Sequence, residues 1–222
     1  MMSGLQKKAE IIDYLIIIFI LVAFRPNGGQ VNIFSMTTHA FPILNVTDVR
    51  TIANSQDYAT IYIEKNTTFS QSLRGLGYVE SSSSLFNFTG ALNNFTTFPR
   101  TIAIVMFLMD NNTSASEAVN SMIFSNNANQ SVQLYIVNNR SNWNYNQYGN
   151  TKIYTVRSIA VFNTSIIKSP NFIMPLPDYQ YTSIFSYGNL VGTVITDGYT
   201  NNLNNTISTK IAEMLLSKAE TK

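Results

Sequence analysis

Thr101-Ile102-Ala103-Ile104-Val105-Met106-Phe107-Leu108-Met109 carries no charge, and after Thr101 it is apolar at even and odd positions alike. Successive side chains of a strand point to opposite faces, so a strand of this composition has to be covered on both. It reads as the central strand of a sheet. A helix start follows at once. Ser114-Ala115-Ser116-Glu117 has the capping-box pattern, in which hydroxyl and carboxylate satisfy each other's backbone amides. Ala115, Val119, Met122 and Ile123 then share one helical face.

Working outward, Asp57 to Ile63 alternates as a strand, and Tyr78–Val79 and Leu85–Thr89 flank the serine run Ser81 to Ser84. Ser131 to Val137 and Lys152 to Asn163 read as further strands. Between them lies Asn138 to Thr151, an Asn- and Tyr-rich loop holding Trp143, Tyr145 and Tyr148, and Pro170, Pro175 and Pro177 mark another irregular stretch. Tyr181 to Tyr187 and Leu190 to Thr196 are joined by Gly188-Asn189, the signature of a β-hairpin with a two-residue turn, and Asp197-Gly198 closes it. Ile207, Ile211, Met214 and Leu215 recur at helical spacing with Lys210, Glu213 and Lys218 opposite, an amphipathic helix whose apolar face covers the sheet. The expected fold is α+β: an antiparallel β-sheet with a capped middle helix and a C-terminal amphipathic helix packed on it, preceded by an N-terminal apolar helix.

That first helix carries the domain organisation. Lys7 and Lys8 precede an apolar run from Ile11 to Phe24, interrupted by Asp13 and Tyr14 and ended by Arg25-Pro26. Its helical length of about 21 Å falls short of roughly 30 Å of hydrocarbon, which favours a signal peptide. Leu21, however, stands where a cleavage site wants a small residue, and snorkelling Lys8 and Arg25 would extend the run into a membrane anchor. Residues 1–25 are therefore signal peptide or anchor, 26–30 a linker, and 31–222 an extracellular domain. The two lysines before the run put that domain outside.

Asn-X-Ser/Thr acceptor signals start at Asn45, Asn66, Asn87, Asn94, Asn111, Asn112, Asn129, Asn139, Asn163 and Asn204. With 27 Asn and 44 Ser or Thr in 222 residues, chance supplies roughly five. The observed number is about twice that, and it sits in a chain with no cysteine, 12% charged residues and a net charge of +2. So few scattered basic residues exclude a nucleic-acid footprint. The absence of cysteine leaves the core to packing alone. Asn87 and Asn163 fall on or beside expected strands, while Asn66, Asn94, Asn111, Asn112, Asn139 and Asn204 fall in loops or at element boundaries. In composition the chain resembles the Asn-rich, Cys-free surface glycoproteins of thermoacidophilic archaea.

Catalytic chemistry finds little to stand on. His39 is the single histidine, so neither a histidine-rich metal site nor a Cys–His pair can be built. No Gly-X-Ser-X-Gly elbow is present. Asp57, Glu64, Glu80, Asp110, Asp178 and Asp197 are scattered rather than paired as glycoside hydrolysis requires. No catalytic, metal or cofactor residues are assigned, and no cofactor is expected.

The order of strand, capped helix, strands, hairpin and helix, with Gly188-Asn189-Leu190-Val191-Gly192-Thr193-Val194 before the last helix, resembles the second half of PsbP-like and PknH-type extracellular sensor domains. The likeness spans about Phe98 to Ala219. It implies binding without catalysis and transfers no site residues. The N-terminal Lys7-Lys8-Ala9-Glu10 and apolar run also resemble the signal of archaeal type IV pilins. The expected role is a non-catalytic binding or assembly protein of a cell envelope, on the outer face of the membrane, or secreted if the N-terminal segment is cleaved. It would contact the membrane through its N-terminal helix, and other envelope proteins or copies of itself. A filament subunit, pilin-like or threading Val31 to Ser35 into a neighbour's sheet, is the first alternative, and a secreted glycan-active enzyme the second. Trp143, Tyr145, Tyr148, Tyr187 and Leu190 are the candidate interface: the first three because aromatic faces beside amides suit such contacts, the last two because their hairpin lies in Tyr181 to Thr200, the longest sequon-free stretch that reads as ordered.

Overall fold

The computed structural model describes residues 41–65, 75–90, 98–125, 131–132, 135–138, 143–162, 178–198, 203–204 and 206–221. The apolar segment 1–25, the linker 26–30, His39, Pro170, Pro175, Pro177 and the sequons at Asn66, Asn94, Asn129, Asn139 and Asn163 lie outside them. Among the described residues three helices, α1 (Val46–Ala53), α2 (Asn112–Ser125) and α3 (Thr206–Glu220), accompany β1 (Tyr58–Lys65), β2 (Tyr78–Phe88), β3 (Thr101–Met109), β4 (Ser131–Val132), β5 (Tyr135–Asn138), β6 (Asn144–Tyr148), β7 (Thr151–Phe162), β8 (Asp178–Tyr187) and β9 (Leu190–Gly198). Among the described residues these nine strands form one sheet in the order β1-β2-β3-β9-β8-β7-β5-β4. Every pairing in it is antiparallel. Both β5 and β6 lie on the edge of β7 opposite β8, β6 along its first half and β5 along its last residues.

β3 is central, as its two-sided apolar sequence requires. Ile102, Ile104, Met106 and Leu108 enter one core with Ile207, Ile211, Leu215 and Leu216 of α3 and Val49 and Ala53 of α1. Val105, Phe107 and Met109 enter a second core with Ala115, Ala118, Val119 and Met122 of α2. The middle and C-terminal helices therefore cover opposite faces, and the strand that separates them belongs to both cores. Each fully buried Leu or Ile in these layers contributes about 1.5–3 kcal/mol of transfer free energy.

Several elements depart from the sequence reading. Helix α2 starts at Asn112, ahead of the expected box: Asn111 Oδ1 accepts the Ser114 amide at 2.9 Å, so Asn111 is the cap and Ser114 lies inside the first turn. Asparagine caps as well as serine, and this one comes first along the chain. Helix α1 was not anticipated. It opens on a reciprocal box in which Asn45 Oδ1 accepts the Asp48 amide and Asp48 Oδ2 accepts the Asn45 amide, each at 2.9 Å. It closes at Asn54 in the left-handed conformation, φ 53. The serine run does not interrupt β2, which passes straight through it with Ser81 to Ser84 all buried. The expected strand Ser131–Val137 is two short strands, and the expected loop Asn138–Thr151 contains β6, folded back on β7 through Gly149, φ 53.

Polar contacts fasten the helices. Thr155 Oγ1 and Ser183 Oγ lie 3.0 Å apart on β7 and β8, and Ser183 donates to Ser208 of α3, also at 3.0 Å, so the buried face of α3 is partly hydroxylic. Lys218, expected on the solvent face, reaches Asp48 Oδ2 of α1 at 2.7 Å and the Ile43 carbonyl at 3.4 Å. At the far end of β3, Arg100 is ion-paired with Asp197 in the interior.

Tyr58 lies in the same corner, its hydroxyl donating to the Pro99 carbonyl at 2.7 Å. Burial, and secondarily the Asp197 carboxylate, holds that hydroxyl far above the ordinary tyrosine range. A raised folded-state pKa leaves stability unaffected below the unfolded value of about 10 and removes it above, where the unfolded chain ionises and the folded one does not. The thermal midpoint should fall with pH above about 10, and Tyr58→Phe should flatten that limb. Midpoints measured from pH 8 to 11 check this, and parallel curves for the two proteins would exclude Tyr58 as the cause.

Candidate interaction surface

The described carboxylates are dispersed, as their sequence positions suggest. Asp197 is committed to Arg100, and the Asp48 carboxylate accepts the Asn45 amide at the α1 cap and pairs with Lys218. Asp110 receives the Asn111 side-chain amide at 2.8 Å beside the turn at Gly77. Gly77 stands at φ 79, and a Cβ there would lie 2.3 Å from the Asp110 carboxylate, so this turn accepts only glycine. Among the described residues no three His, Cys, Asp or Glu side chains gather as a metal site would need.

The five candidate interface residues do not come together. Tyr148, Tyr187 and Leu190 pack, partly buried, against the core beneath α1 and α3. Trp143 packs, half-buried, against the core beneath α2, and its indole Nε1 is buried with no hydrogen-bond partner among the described residues. Only Tyr145 is an exposed large side chain, at 58%. The hairpin that carries Tyr187 and Leu190 is β8–β9, and its strands lie between β7 and β3 with α2 and α3 above and below. What it offers a partner is its turn at Gly188, beside Asn112.

Around Tyr145 the strand pairing builds a patch. Tyr145 stands opposite Tyr154 of β7, with ring centroids 6.1 Å apart, and Lys152 Nζ lies 4.8 Å from the Tyr145 ring centre. An exposed cation–π contact of this kind contributes about 0.5–1 kcal/mol and holds the ring in place. Asn144, Asn146 and Gln147 flank it, all exposed, and β6 pairs with β7 without a register shift. The opposite sheet edge is built differently. β1 is irregular between Thr60 and Tyr62, where Ile61 is turned outward at 42% exposure, and such a bulge spoils an edge as a template for further strands. The sequence alone does not place Lys152 and Tyr154 in this patch, because Asn138–Thr151 reads as loop. Gly149-Asn150 between two aromatic stretches is the hairpin signal that would have aligned Tyr145 with Tyr154.

No protein-family model matches the chain, and no curated protein matches it. Among solved structures, the extracellular domain of PknH from Mycobacterium tuberculosis superposes with a TM-score of 0.53 at 11% sequence identity, covering 82% of this chain and 94% of that one. The two chains share a fold. No helix among the described residues is long and apolar enough to cross a membrane.

Proposed function

We propose that this is a non-catalytic, N-glycosylated recognition or assembly domain displayed outside the cell, carried at the membrane by its apolar N-terminal segment or released by cleavage there. Its partners are other envelope proteins or further copies of the chain. One observation carries the reading: of the two exposed large apolar or aromatic side chains among the described residues, Ile61 sits at an irregular strand edge, while Tyr145 is set in a row of exposed amides on the regular strand β6. Aromatic rings held rigidly among amides give contact area at low entropic cost, which suits recognition and does no bond-breaking. The fold shared with the extracellular domain of PknH supports the location. So does the sequon density in a chain without cysteine.

The test uses the full chain in its native cells. A membrane-impermeant lysine reagent should label the domain on intact cells, and amine cross-linking should give discrete adducts that Tyr145→Arg reduces at least tenfold. Labelling only after lysis would overturn the location. Adducts unchanged by Tyr145→Arg would overturn the β6 surface.

A further inference from the structure

We propose that Asn45, Asn111 and Asn204 are glycan acceptors of the folded domain, each serving at once as sugar anchor and helix cap, and that Asn87 stays bare. The inference rests on the N-glycosylated, extracellular reading above.

All three open a sequon, and all three are exposed. Each also stands before one of the three described helices, Asn45 and Asn111 directly and Asn204 two positions ahead of Thr206, and in each the fold uses the same atom. Asn45 Oδ1 accepts the Asp48 amide and Asn111 Oδ1 the Ser114 amide, both at 2.9 Å. Asn204 Oδ1 accepts the Thr206 amide at 3.0 Å and the Thr206 hydroxyl at 2.8 Å. An N-linked sugar takes the other end of the amide. One Nδ2–H bond breaks and an Nδ2–C1 bond forms, while the C1–O bond of an activated sugar-phosphate donor breaks. The phosphate leaves with the electron pair, and the amide proton passes to a base of the transferase. The carbonyl oxygen keeps its lone pairs, so the cap survives modification.

The nitrogen is placed to match. Nδ2 of Asn45 and of Asn204 donates to no described residue. Asn111 Nδ2 donates to Asp110 Oδ1 at 2.8 Å, and the substituted amide retains one N–H for that bond. With the carbonyl drawn onto the backbone, the nitrogen is the end of each exposed side chain left for the sugar.

Asn87 is the counter-case. It stands inside β2, opposite Ala59 of β1 and Thr101 of β3, with its Oδ1 buried and without a hydrogen-bond partner among the described residues. A sugar there would have to lie across the sheet.

Site-resolved glycopeptide mass spectrometry of the full chain from its native cells tests this. Sugar is expected on Asn45, Asn111 and Asn204 and absent from Asn87. Thr47→Ala, Thr113→Ala and Thr206→Ala each end one of these sequons and keep its asparagine. Each should lose one glycan mass, with a thermal midpoint shift smaller than that of the matching Asn→Ala, which removes sugar and cap together and should lower the midpoint by about 2–4 °C. Sugar on Asn87, or bare caps in a chain glycosylated at Asn66, Asn94, Asn129, Asn139 or Asn163, overturns the inference and leaves the glycosylated reading standing. Glycan retained in Thr113→Ala assigns it to Asn112 and overturns the Asn111 assignment. A chain with no sugar anywhere overturns both.

Discussion

Asp197→Ala is expected to destabilise the domain by about 3–5 kcal/mol, the usual cost of removing one partner from a buried ion pair. The guanidinium of Arg100 and the carboxylate of Asp197 are both buried, and the variant leaves the cation in the interior without its counter-charge. Four strands converge on this corner. The Arg100 amide donates to the Asp197 carbonyl at 2.7 Å, the Arg100 carbonyl accepts the Phe88 amide at 2.8 Å, and Tyr58 of β1 is held to Pro99. Denaturant unfolding of the intact chain and the variant measures the loss. Replacing both members, as in Arg100→Met with Asp197→Leu, should recover much of it, because the cost lies in the stranded charge rather than in the missing attraction. A loss below about 1 kcal/mol for Asp197→Ala would mean that water reaches the pair.

Phe185→Ala is expected to cost a similar amount, about 3–5 kcal/mol. Its ring lies across Gly192, its direct partner on β9, so closely that a Cβ on Gly192 would sit 2.2 Å from the ring. Glycine weakens a strand interior because it has no side chain to pack, and an aromatic ring laid over it restores the missing contact. Gly192→Val should displace the ring and cost about 1–3 kcal/mol or more by overpacking. The double variant separates the two effects: valine should partly fill the space left by Phe185→Ala, so its loss should be smaller than the sum of the single losses. Strict additivity would mean the ring and the glycine are not coupled.

How much of this could be read beforehand follows from where the determining information sits. β3 was legible because nine consecutive residues state their own burial, and β8–β9 because Gly188-Asn189 fixes the turn and hence the register. α3 was legible through its stripe of isoleucine and leucine, although Lys218 was placed in solvent. Its partner Asp48 lies 170 residues away, on a helix that Asn45 opens. That helix was missed because Asn45 was read only as a sequon, and a residue with two uses shows one of them. Which core each helix enters was not legible at all. Helical spacing shows that a face is apolar and is silent on which side of the sheet it meets. The interface residues divided for the same reason, since Tyr145 and Tyr148 are separated by an odd number of positions along β6 and therefore point to opposite faces.

The place of β9 has a consequence for the order in which the chain acquires its structure. β3 and β9 are neighbours in the sheet, yet Arg100 and Asp197 at their shared end stand 97 positions apart. While the ribosome has delivered β1, β2 and β3 but not β8 and β9, β3 has one edge unpaired, and the apolar row that α3 will cover has no lid. Such a half-sheet is a sticky intermediate, and closing so long a loop is slow. Assembly from the front of the chain backward is therefore disfavoured. A polypeptide with this wiring gains by staying unfolded until β9 and α3 have emerged, which is also the condition in which a chain is threaded through a membrane pore.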